Sequence, residues 1–90
     1  MQKVYKYAVP ITDFPVIPMP EYSKVLSAQV QYDQVFIWAL VDLNLNHKMV
    51  ERKFMLAGTG HPIFETDLDF IGTVQLADGS LIYHLFEILS

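Results

Sequence analysis

The sequence predicts an all-β fold, a compact antiparallel β-sandwich or partly open barrel of about seven short strands. Three observations predict it. Runs rich in β-branched and aromatic residues recur about every ten residues, the spacing of a sandwich or barrel. Helical periodicity is weak almost everywhere. Turn residues, Asp78-Gly79 the clearest among them, fall between the runs. With 90 residues, the chain is one domain over 1–90 and no more.

The first strand is expected over Gln2 to Val9, with Tyr5, Tyr7 and Val9 on one face, Lys6 and Ala8 on the other, and Pro10 ending it. Phe14 to Pro20 carries three prolines; each lacks a backbone donor, so the segment is an edge strand around Val16 to Met19 or an extended connector. A third strand, Lys24 to Tyr32, leads through Asp33-Gln34 into a fourth, Val35 to Leu43. The fourth is apolar on both faces and calls for cover on each side. Asn44 to Lys48 forms a loop. The fifth strand, Val50 to Ala57, sets Arg52, Phe54 and Leu56 against Glu51, Lys53 and Met55, and breaks at Gly58-Thr59-Gly60-His61-Pro62. Glu65 to Asp69 is the one candidate for a helical turn, with Thr66 as its cap. The last two strands, Phe70 to Ala77 and Ser80 to Leu89, form a hairpin about Asp78-Gly79 in a two-residue primed turn. The final strand again has apolar groups on both faces: Leu81, Tyr83, Leu85 and Leu89 against Ile82, Phe86 and Ile88.

A chain this short buries only about 60–65% of its unfolded surface, yet 52% of its residues are hydrophobic and 13% aromatic. Two strands apolar on both faces exceed what a thin core hides, so self-association is the simplest expectation. There is no cysteine, hence no disulfide framework or thiolate metal site. No apolar run is long enough to span a bilayer and Met1 heads no signal-like core, so the chain reads as intracellular, soluble and free of membrane. Ten acidic against six basic residues give a net charge of −4, which argues against binding DNA or RNA polymers. A small anion remains admissible where a few cations and backbone N–H groups converge.

The residues of an enzyme are hard to assemble. His47, His61 and His84 match no usual metal-ligand spacing, and no serine sits in a nucleophile elbow. No catalytic residue, metal or cofactor is therefore expected. The Gly58-Thr-Gly-His-Pro segment differs, because its glycines let the backbone turn tightly and present N–H groups beside a hydroxyl. It reads as an anion cradle or as a strand-ending bulge. Arg52, on an apolar face, needs an anionic partner, either Glu51, Asp42 or Glu87 internally or a ligand's phosphate. Tyr5, Tyr7, Trp38 and Tyr83 could stack on a base but belong first to apolar strands.

The stretches Val4-Tyr-Lys-Tyr, Met19-Pro, Trp38-Ala-Leu-Val-Asp, Arg52-Lys-Phe, Gly58-Thr-Gly-His-Pro-Ile, Ile71-Gly-Thr-Val-Gln and His84-Leu-Phe-Glu, in that order, look like a family of small phage-encoded proteins over nearly the whole chain. That family resembles the viral sponge proteins that sequester cyclic nucleotide signals of bacterial CBASS immunity, such as cyclic GMP–AMP. The resemblance implies a homo-oligomer, a tetramer, that holds a cyclic dinucleotide in the cytoplasm of the infected bacterial host without cleaving it.

On that footing Thr59, Gly60 and His61 are expected to contact phosphate or sugar, Arg52 to neutralise charge, and Tyr7 or Trp38 to stack on a base. The rival reading is an oligomeric module whose apolar strands dock on a host or phage protein. A third, a small hydrolase acting on such signals, lacks a nucleophile and base.

Overall fold

A computed structural model describes residues 1–44 and 46–90. Among these residues seven antiparallel strands form two sheets that do not close into a barrel. They are β1 (Gln2–Ala8), β2 (Val16–Pro20), β3 (Lys24–Gln31), β4 (Gln34–Asp42), β5 (Met49–Gly58), β6 (Leu68–Leu76) and β7 (Leu81–Ile88). A three-stranded sheet runs β1-β4-β3 and a four-stranded sheet runs β2-β5-β7-β6. The Cα trace measures 42 × 30 × 16 Å, the shape of two sheets laid face to face.

Side-chain alternation sets the layers. In β4, Val35, Ile37, Ala39 and Val41 point inward and are buried, while Phe36, Trp38 and Leu40 point outward and stay half-buried. From the opposite sheet Ile17, Met19, Phe54, Leu56, Val74, Leu76 and Leu85 complete one contiguous core. At roughly 1.5–3 kcal/mol for each large apolar side chain removed from water, this inner layer is the main source of stability. β2 is the edge strand its prolines require: Ile17 and Met19 are buried, and Pro18 faces solvent. Its pairing with β5 continues back past Val16, because Phe54 N–H donates to Pro15 O and Leu56 N–H to Asp13 O. At the border between the sheets Ala28 of β3 lies against Gly72, beside a bulge in β6.

Three local expectations are corrected. Glu65 to Asp69 forms no helical turn and Thr66 caps nothing: residues 61–66 are irregular and β6 already begins at Leu68. The reason is that this backbone finds partners across the sheet. Asp69 pairs with Glu87 and Asp67 O accepts from Leu89 N–H, so extended structure outcompetes one unsupported turn. Second, the β3–β4 turn is centred on Tyr32-Asp33, not on Asp33-Gln34. Both have positive φ (52° and 57°), and Gln34 pairs with Gln31 inside the ladder. A primed turn matches the strand twist, and Asp tolerates this backbone. Third, Asp78 (φ 55°) and Gly79 (φ 88°) do turn the β6–β7 hairpin, closed by Ser80 N–H to Ala77 O, but Ala77 also has positive φ (51°). The ladder therefore closes at Leu76–Leu81, one pair earlier than expected. The Ala77 N–H, turned out of the ladder, donates to Asp33 Oδ1 at 2.8 Å, joining the two hairpin tips.

Candidate functional site

β5 carries chemistry at both ends. Near its start, Arg52 faces inward between β2 and β7. Its Nε and Nη2 both donate to the Glu87 carboxylate, and Nη1 donates to Ser23 O at 2.8 Å. Glu87 is only 7% exposed, so the fork satisfies a carboxylate that burial would otherwise penalise. The bond to Glu87 raises the Arg52 pKa, burial opposes the rise, and the charge of Glu87 adds to it. Of the partners open to Arg52 from sequence, the structure selects Glu87.

At its far end β5 runs into the glycine segment. His61 N–H donates to Gly58 O at 3.1 Å, with Thr59 and Gly60 as the central residues. Gly60 has φ +86°, the position that a type II turn reserves for glycine. Gly58 is needed for space instead: a Cβ there would lie 2.8 Å from Nδ1 and 2.9 Å from Cε1 of His61. The imidazole therefore rests on bare backbone. Among the described residues the Gly60 N–H donates no hydrogen bond within the chain, while the Thr59 N–H is directed at β7, one step beyond the Gly58–Tyr83 pair of the β5–β7 ladder.

The Thr59 hydroxyl is 2.8 Å from Nε2 of His84, and the Thr73 hydroxyl is 3.0 Å from its Nδ1. A neutral imidazole has one donor and one acceptor, and a hydroxyl can be either. Both ring nitrogens are thus satisfied in either tautomer. His61 separates two surface pockets. One, of about 320 Å³, lies beside the turn and is lined also by Thr59, Ser80, Ile82 and Tyr83. The other, of about 350 Å³, lies against Met55 and Ala57 and is rimmed by Asp13, Phe14, Phe64 and Glu65.

The six residues nominated from sequence thus divide. Thr59, Gly60 and His61 stand together at the turn. Arg52 is seven positions back along the strand, roughly 20 Å at the rise of a β-strand. Tyr7 and Trp38 lie on opposite faces of the three-stranded sheet, since Tyr7 pairs with the inward Ile37 and Lys6 with Trp38. Tyr7 packs on the core, and burial, with a smaller contribution from Tyr5, pushes its phenol above the usual value. Trp38 meets Phe36 edge to face, and Lys6 Nζ sits 4.5 Å over the Phe36 ring. Within one chain, neither aromatic reaches the glycine turn.

Tyr83, named from sequence among the aromatics able to stack, lines the smaller pocket, and His84, weighed there only as a metal ligand, bonds Thr59 and Thr73 instead; Thr73 and the rim of the larger pocket join the site without having been singled out. Thr73 faces His84 directly in the β6–β7 ladder, so counting equal steps outward from the hairpin loop finds that pair. Asp13, Phe14, Phe64 and Glu65 carry no such local signal. Among the described residues no group of three or more His, Asp and Glu is placed to hold a metal.

Fold and site together define a two-sheet antiparallel domain with paired pockets about a glycine turn. The chain belongs to the family described as a domain of unknown function (DUF7352), whose model matches residues 1–89. No curated protein and no solved structure matches it.

Proposed function

We propose that the chain is an oligomeric binding protein that takes up a cyclic nucleotide signal at the Gly58–His61 turn and retains it uncleaved, as a phage sponge against host defence. The observation that carries this reading is the turn itself. The Thr59 hydroxyl stands beside an open pocket bordered by Ser80 and Tyr83, and the unengaged Gly60 N–H lies next to it in the same turn, donors of the kind that hold a phosphate oxygen. Among the described residues no lysine or arginine lines that pocket, so the neutralising charge comes from a neighbouring subunit in the tetramer.

A second reading, docking on another protein, draws on one further observation. The outer face of the three-stranded sheet presents Val4 and Leu26, both exposed, beside half-buried Phe36, Trp38 and Leu40. Titration calorimetry against cyclic di- and trinucleotides separates the two, with recovery of intact nucleotide from the denatured complex. Light scattering on the same samples reads the assembly. Saturable uptake with full recovery supports the sponge; no uptake by a folded oligomer favours docking, and a cleaved product makes the chain an enzyme.

A further inference from the structure

We propose that the larger pocket, on the far side of His61 from the turn, is a base pocket that selects guanine. This deepens the nucleotide-binding reading and rests on it. The pocket has an apolar lining of buried Met55 and Ala57. At its rim stand two large aromatics left in water, Phe14 at 55% and Phe64 at 83% exposure. A singly exposed Phe needs no explanation; two beside one apolar-lined pocket offer planar surfaces on which a base stacks.

The polar part of the rim fixes which base. Asp13 and Glu65 line the pocket, no lysine or arginine does, and among the described residues neither carboxylate is in an ion pair. An ionised carboxylate accepts hydrogen bonds and donates none, so this pocket repels phosphate and welcomes a group that presents adjacent N–H donors. Guanine does so along one edge, through N1–H and the N2 amino group. Adenine sets an acceptor, N1, next to its donor, and uracil flanks its one N–H with two carbonyls. Each would leave a lone pair facing a carboxylate oxygen, the unfavourable contact from which specificity arises. Because His61 lines both pockets, one ligand can place its base here and its phosphate at the turn.

The test is titration calorimetry of the intact oligomer with cyclic di-GMP, cyclic di-AMP and cyclic di-UMP, repeated on Asp13→Asn, Glu65→Gln and Phe64→Ala, each checked for fold by amide NMR spectra. The parent should favour cyclic di-GMP by roughly tenfold or more. The two amide variants should narrow that preference by about the same factor, and Phe64→Ala should weaken all three ligands. Uptake without guanine preference, or a preference untouched by the amide variants, overturns the base pocket while leaving nucleotide binding intact. No uptake of any nucleotide by the parent removes both. Should a variant fail to fold, the parent's own ranking of the three ligands still decides.

Discussion

The two ends of β5 use similar materials for opposite purposes. At the Arg52 end the guanidinium is spent inward: its three nitrogens bond Glu87 and Ser23, and the Glu87 carboxylate is nearly closed off from water. Past Gly58 the backbone stops pairing, the Gly60 N–H goes unengaged and a histidine lies on a glycine. Part of one strand is therefore a structural clamp and part, on the function proposed above, a recognition edge. A charged residue on an apolar face and a glycine-rich turn a few positions later need not belong to one site, even when the chemistry of an anionic ligand would welcome both.

The sharpest way to break this contrast is Arg52→Ala. It strands the buried Glu87 carboxylate and should cost about 3–5 kcal/mol in urea unfolding, whereas pairing Arg52→Met with Glu87→Leu should recover most of that loss. Full stability with lost ligand binding would move Arg52 back to the recognition edge. Next in size is Gly60→Val. The space around Gly60 is open, so its cost is backbone strain at φ +86°, about 1–2 kcal/mol by thermal unfolding. Gly58→Ala should cost less, under about 1 kcal/mol, because the exposed His61 ring can swing away. Its effect should appear instead as a shift of the His61 ring signals in NMR; an unmoved ring would show that the imidazole does not rest there. The smallest effect is expected from Thr59→Ala, which removes a single exposed hydrogen bond to His84. About 0.5 kcal/mol of stability should go, and a much larger loss would place Thr59 with the clamp.

Most of the strands were legible because alternation and turn chemistry are local. β2 announced itself by its prolines, β4 by its double apolar face, and the β6–β7 hairpin by Asp78-Gly79. What stayed hidden depends on register between strands distant in sequence. Glu87 meets Arg52 only because Phe54 pairs with Glu87, an alignment no local pattern encodes. The Asp13, Phe14, Phe64 and Glu65 rim likewise requires both the pairing of residues 13–15 with β5 and the course of an irregular segment. Glu65 to Asp69 misled because its acidic run and Thr66 are what a capped turn would contain, while the competing partner, β7, lies about twenty residues further on. The separation of Tyr7 and Trp38 follows from period-two alternation and the β1–β4 register, and only the first of these is visible in a sequence.

The hydrogen bond between the hairpin tips has a kinetic meaning. β3–β4 and β6–β7 are the two pairs that can zip from a short loop; β1 must wait for β4, and β2 and β5 for partners far along the chain. A topology dominated by such distant pairings is expected to fold on the millisecond-to-second scale, and the lower loop-closure cost favours the two hairpins before their docking. Asp33 Oδ1 and the Ala77 N–H lie 44 residues apart and can meet only once that docking is done. Their bond acts after the barrier, so Asp33→Ala should hasten unfolding and leave the refolding rate nearly unchanged.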